Sequence, residues 1–197
     1  MLHRTGWHSF QPSPVNGKSS MVKVKLHTNY GVITLELDAE KAPVTVKNFL
    51  EYVNSGFYYK TLFHRVIDGF VIQGGGYNYA LGTVSMSSIA KMAPKSPNAP
   101  IKNEAANGLK NDKYTIAMAR SSAPHSATSQ FFINLKDSDS LNYTASDKQG
   151  FGYCVFGKVV AGTEVVDAIS KVAAGNRYGL ENVPLEDVVL KKAEEVQ

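Results

Sequence analysis

The chain has 197 residues, 43% of them hydrophobic and 19% charged, with a formal net charge of +4, the composition of one globular domain with a tail. So mild a positive balance, with no dense Lys/Arg run, argues against nucleic acid as the main ligand. The single cysteine, Cys154, permits neither an internal disulfide nor a cysteine-based zinc site, so no oxidising compartment is needed and a cytoplasmic location is expected.

Residues 1–20, MLHRTGWHSFQPSPVNGKSS, are polar and lack the apolar stretch of a secretory signal. They read as a flexible extension or expression remnant, with the domain proper over 21–197. At Met21 the pattern changes. VKVKLHT alternates apolar and polar residues, and GVITLELD follows after Asn29-Tyr30-Gly31, which predicts a β-hairpin. APVTVKNFLEYVNSG predicts a helix: Pro43 suits its first turn, Val46, Phe49, Leu50 and Val53 form a stripe, and Gly56 ends it.

FHRVIDGF and VIQGGG give two extended runs around Asp68-Gly69. Period-2 alternation places Phe63 and Arg65 on one face. From Tyr77 to Pro100 the pattern fades into a long loop with Ser85, Ser87, Ser88, Pro94, Pro97 and Pro100. Gly69 to Asn103 carries Lys91, Lys95 and Lys102 and no acidic residue, so this stretch is either a solvated loop or a basic patch flanking a site. Strands are predicted at YTIAMA, QFFINL and YCVFGKV, a second helix at GTEVVDAISKV and a last strand at VPLEDVVL. Gln130, Phe132 and Asn134 share one face of their strand. Many short strands with two helices predict a mainly β fold, closed and largely antiparallel. Cys154 is expected as a small core residue, and no apolar run reaches the roughly 18 residues that span a bilayer.

Familiar chemistries are absent. The three glycines at 74–76 precede no Gly-Lys-Ser/Thr and no helix, so they do not form a phosphate loop; backbone crowding or a turn explains them. The five histidines show no helical metal-ligand spacing, so no metal is expected, and no cofactor is called for. There is no Gly-x-Ser-x-Gly elbow; His125 and Ser126 are merely adjacent. Asp137 and Asp139 read as turn residues. What stands out is Arg65, a permanent cation amid Phe63, Val66, Ile67, Phe70, Val71 and Ile72. An arginine beside aromatics can bury its stem and aim its donors at a carbonyl or amide, which suits a neutral peptide.

FHRVIDGFVIQGG together with SATSQFFINL resembles the cyclophilin family of peptidyl-prolyl cis–trans isomerases from about Met21 to Val189, and KNEAANGLKN with AMARSSAPHSATSQFFIN is similar to the bacterial cytoplasmic type. The resemblance implies a closed eight-stranded antiparallel barrel capped by two α-helices, binding proline-containing peptides and folding proteins on its outer face. It places the catalytic arginine at Arg65, the proline pocket at Phe70, Val71, Phe132 and Leu141, and the glutamine that holds substrate and arginine at Gln73. Ala119, Arg120 and Tyr153 match further peptide contacts; Phe63, His64 and Gln130 complete the expected set. Two departures stand out. Ser140 replaces a tryptophan that helps many eukaryotic members bind cyclosporin, which implies weak cyclosporin binding. The 77–100 loop is longer than in bacterial relatives and either extends the substrate groove or is simply tolerated. Nothing suggests an obligate oligomer, so a monomer is expected.

Overall fold

The computed structural model describes residues 21–79 and 92–197. The expectations for residues 1–20, and for Ser85, Ser87, Ser88 and Lys91 in the long loop, lie outside the described residues.

The predicted hairpin is β1 (Met21–Thr28) and β2 (Gly31–Asp38), with Leu26 opposite Ile33 and Val24 opposite Leu35. Helix α1 (Pro43–Asn54) follows, with Pro43 in its first turn and Val46, Phe49, Tyr52 and Val53 buried. Ala42 at its N-cap has no side chain to offer. Glu104, about sixty residues on, takes that role: its carboxylate accepts from the Thr45 N–H at 2.7 Å, the Val44 N–H at 3.3 Å and the Thr45 hydroxyl at 2.7 Å. A carboxylate there satisfies orphan donors and opposes the positive end of the helix dipole.

The chain continues through β3 (Thr61–Leu62), β4 (Arg65–Ile67), β5 (Val71–Gly74), β6 (Tyr77–Asn78), β7 (Ala93–Pro94), β8 (Thr115–Met118), β9 (Phe131–Asn134) and β10 (Val155–Ala161). Helix α2 (Thr163–Ser170), β11 (Ala174–Arg177), β12 (Leu180–Pro184) and β13 (Val189–Val196) complete it. One large sheet runs β4-β5-β9-β8-β10-β2-β1-β13-β3-β6-β7, antiparallel at every pair, and β11 with β12 forms a separate ribbon.

The mainly β fold with two helices is as expected, but several details differ. The sheet is a curled, open ladder rather than a closed ring of eight strands: β4 ends one side and β7 the other. The chain itself spans the gap at Phe63–His64, where the Phe63 N–H meets the Val188 carbonyl at 2.9 Å. Leaving the ladder there breaks the alternation, so Phe63 and Arg65 do not share a face. VPLEDVVL is two strand ends divided by a turn, not one strand. The long loop starts and ends in a two-residue ladder, Tyr77 opposite Pro94 and Asn78 opposite Ala93.

Inside the curl, Leu26, Ile33, Leu35, Ile72, Ile116, Phe131, Ile133 and Phe156 meet α1 and α2. The Phe49 ring lies 5.6 Å from Phe131 and 5.2 Å from Phe156. A fully buried side chain of this kind contributes about 1.5–3 kcal/mol, so this interior carries the stability. Cys154 is buried in it, as expected. Alternation sends Phe132 of β9, Ala117 of β8 and Val71 of β5 to the outer face, into a second, smaller cluster with Phe70, Leu141 and Tyr153. Among the described residues no helix is long and apolar enough to cross a membrane.

Candidate active site

Strand register builds the outer face. Arg65 lies opposite Gln73, Gln73 opposite Phe132, Phe132 opposite Ala117 and Ala117 opposite Val155. These five residues form one row across β4, β5, β9, β8 and β10. With strands about 4.8 Å apart, the row is about 19 Å long, enough for several residues of an extended peptide.

Over this row lies a groove of about 370 Å³ lined by Arg65, Phe70, Val71, Gln73, Ala119, Arg120, Phe132, Leu141 and Tyr153. The β4–β5 turn, with Gly69 at φ 69°, brings Phe70 to its edge. Phe132 and Tyr153 meet edge to face at 5.7 Å, while Phe70, Leu141 and Tyr153 stay half-buried. Part-exposed apolar side chains collected in one concavity have the character of a recognition surface, since folding gains little from them there.

Arg65 is half-buried, and its Nη1 donates to Gln73 Oε1 at 3.2 Å. No carboxylate pairs with it among the described residues. Gln73 Nε2 in turn donates to Gln130 Oε1 at 3.0 Å, so two side-chain amides in series orient one guanidinium. The glycines serve close approach here: a Cβ on Gly76 would come within 2.5 Å of the Gln130 amide. Gln130 itself lines an adjoining hollow with Gln73, Ala119, Arg120, Ser121, Ser126 and Thr128. Arg120 stacks 4.7 Å from the Tyr153 ring centre while its Nε donates to the Gly152 carbonyl at 2.8 Å.

Two expected site residues lie elsewhere. Phe63 is in the interior, 1% exposed. His64 is 7% exposed, packs 4.6 Å from the Tyr77 ring and leaves Nδ1 without a partner among the described residues. Burial, reinforced by the Arg65 charge, pulls the His64 pKa down to about 4, so it is neutral at physiological pH and lines no part of the groove. Burial also pushes the Cys154 thiol up to about 11, which makes it a poor nucleophile. No cluster of metal-ligating residues exists among the described residues.

The sequence reading missed the support behind the far wall. Asn111 is fully buried. Its Nδ2 donates to the carbonyls of Leu141 at 3.1 Å and Tyr153 at 3.2 Å, and its Oδ1 accepts from Asn134 Nδ2 at 3.1 Å. Its backbone N–H reaches Asn142 Oδ1 at 2.7 Å. One side chain thereby holds Leu141 and Tyr153 together. The only hint in sequence is an asparagine in a loop without period.

The arrangement offers an extended, half-apolar groove with an oriented cation and no nucleophile, suited to gripping a peptide and stabilising a change of shape. Known proteins agree. The sequence pattern of the family described as cyclophilin type peptidyl-prolyl cis-trans isomerase/CLD matches residues 23–195. Peptidyl-prolyl cis-trans isomerase B of Escherichia coli is 52% identical over 168 residues, 85% of this chain and 96% of that protein. A peptidyl-prolyl cis-trans isomerase of Streptomyces antibioticus is 51% identical over 173 residues, 88% and 98% of the two chains. A crystal structure of a cyclophilin type peptidyl-prolyl cis-trans isomerase from Cryptosporidium parvum aligns with a TM-score of 0.69 at 27% identity, covering 90% of this chain and 98% of that one. A structure of that protein in the presence of the dipeptide Ala-Pro gives 0.67 at 29% identity, covering 87% and 96%. On the row, the groove and these likenesses together, the chain belongs to the cyclophilin-type peptidyl-prolyl cis–trans isomerases.

Proposed function

We propose that this isomerase lays an extended peptide along the outer row, seats the proline ring against Phe70, Val71, Phe132 and Leu141, and uses Arg65 as its catalytic donor. Rotation about a peptide C–N bond faces a barrier of roughly 18–20 kcal/mol because resonance gives it double-bond character. X-Pro bonds are nearly balanced between cis and trans, yet exchange unaided in roughly tens to hundreds of seconds. As the bond twists, the prolyl nitrogen regains a lone pair. A guanidinium N–H can bond to it then and cannot do so well in the planar amide, so the contact favours the transition state over the ground state. The support for this reading is Arg65 itself: a cation on the wall of an apolar groove, oriented by Gln73 and paired with no carboxylate among the described residues.

Cis–trans exchange of an Ala-Pro peptide, followed by NMR with wild type and Arg65→Ala side by side, tests it. The expected loss is on the order of 10²–10³ in rate with the fold intact, the effect of removing one preorganised donor. Equally fast exchange by both proteins would sink the role of Arg65; slow exchange by both would mean a proline-peptide binding module.

The substrates we assign are X-Pro bonds in peptides and in unfolded or folding proteins, met by a monomer in the cytoplasm. The isomerase domain we assign to 21–197, so trimming residues 1–20 leaves activity unchanged. Ser140 lies beside Leu141 in an exposed 3-10 turn and offers a small hydroxyl where tryptophan-bearing relatives offer a ring. Weak cyclosporin binding is expected, and titration to an affinity matching those relatives would overturn it.

A further inference from the structure

The proline groove does not end at its far wall. Past Arg120, Leu141 and Tyr153 it opens into a second hollow of about 570 Å³, whose further lining includes Ser121, Ser140, Lys148 and Gln149. The two hollows share those three wall residues but differ in chemistry. The first is floored by aromatic and aliphatic side chains. The second is lined by hydroxyls, an amide and two cations, and by no carboxylate among the described residues.

Both cations are available. Arg120 is held in place by Nε to the Gly152 carbonyl, Nη1 to the Ser121 carbonyl at 3.0 Å and the Tyr153 ring, while its Nη2 has no partner among the described residues. Lys148 is exposed and pairs with no carboxylate among the described residues. The neighbouring acids are turned to local work. Asp147 Oδ1 accepts the N–H groups of Gln149 at 3.1 Å and Gly150 at 2.7 Å. Asp139 Oδ1 faces Asn142 Nδ2 at 3.5 Å. A fixed guanidinium with a spare donor, an exposed ammonium and hydroxyls lining one hollow are complementary to a carboxylate.

We propose that this hollow is a subsite for an acidic side chain, so that the enzyme favours X-Pro substrates carrying Asp or Glu two residues before or after the proline. The distance follows from geometry: an extended chain advances about 3.3–3.6 Å per residue, and the hollows share a wall. The proposal rests on the isomerase reading of the groove and adds which of its substrates are preferred.

Matched Ala-Pro peptides with Glu or Gln two residues before or after the proline test it, with kcat/KM measured by NMR exchange. In wild type the Glu peptide is expected to exceed its Gln partner by about threefold to tenfold at low salt, the scale of one or two exposed ion pairs. The ratio should fall toward one near 1 M salt, where the screening length is about 3 Å. Lys148→Glu should bring it below one. Because each ratio is taken within one protein, a general loss of activity in a variant cancels. A ratio near one at low salt for both peptide pairs, with the Gln peptides turned over, overturns the subsite and leaves the isomerase reading intact. A ratio unchanged by salt, by Lys148→Glu and by Arg120→Gln shows that these charges do not set the preference and overturns it too. Turnover of neither peptide would remove the isomerase reading, and the subsite with it.

Discussion

Gln73 is the most informative residue to remove. Its Oε1 lies 3.2 Å from Arg65 Nη1 and its Nε2 lies 3.0 Å from Gln130 Oε1, so Gln73→Ala frees the guanidinium from its side-chain hydrogen-bond partner among the described residues. A hydrogen bond to a charged group contributes about 1.5–3 kcal/mol. The site is half-exposed and water recovers part of that, leaving about 1–2 kcal/mol for orientation. At about 1.36 kcal/mol per decade of rate, kcat/KM should drop about fivefold to thirtyfold with little change in melting temperature. Exchange rates on an Ala-Pro peptide for wild type, Gln73→Ala, Arg65→Ala and the double variant form a closed cycle. If Gln73 acts through Arg65, its removal costs little once Arg65 is gone. A loss of the same size in both backgrounds would refute the orienting role and make Gln73 a direct substrate contact.

His64 predicts an acid limb. Its folded pKa of about 4 lies below the ordinary 6.5, so between those values the unfolded chain binds the extra proton and stability rises with pH. The contribution is intact above about pH 6.5 and is lost as pH falls toward 4, a change of about 3 kcal/mol; urea unfolding of wild type and His64→Gln across this window should differ by that slope, and parallel curves would refute it. Glu104→Ala should cost about 1–2 kcal/mol, as the loss of a helix cap does, with Glu104→Gln recovering part; an unchanged melting temperature for Glu104→Ala would count against the cap. Cys154 should react slowly with a thiol reagent at pH 7 in the native protein and fast in urea, since burial raises its pKa to about 11. Fast native labelling would contradict its burial.

Much of this was legible in the sequence, for physical reasons. The hairpin and both helices announce themselves by period, because Leu26, Ile33, Phe49 and Ile169 must all face one interior. Alternation puts Gln130, Phe132 and Asn134 on one face of their strand, and the register sets Phe132 between Gln73 and Ala117. Alternation failed at Phe63, because a two-step rule holds only while the chain stays in the ladder, and the ladder breaks at residues 63–64. The Glu104 cap and the Asn111 hub were invisible because their partners lie 23 to 60 residues away, and no local pattern encodes such a meeting. Closure was expected from the strand pattern and from the resemblance alike; the hydrogen-bonded ladder is open.

Asn111 also bears on when the enzyme comes into existence. It joins Asn134, Leu141 and Tyr153, which follow it by 23, 30 and 42 residues. The wall of the groove therefore cannot be assembled piecemeal along the chain, and loops of that length must close before any of its contacts form. During synthesis, every nascent fragment that ends between Gln73 and Tyr153 carries Arg65 and Gln73 but lacks the completed wall of the groove. Such a protein cannot assist its own X-Pro bonds while it is being made. Help has to come from an isomerase that is already folded, so where X-Pro exchange limits refolding of the purified chain, refolding should quicken as folded molecules accumulate.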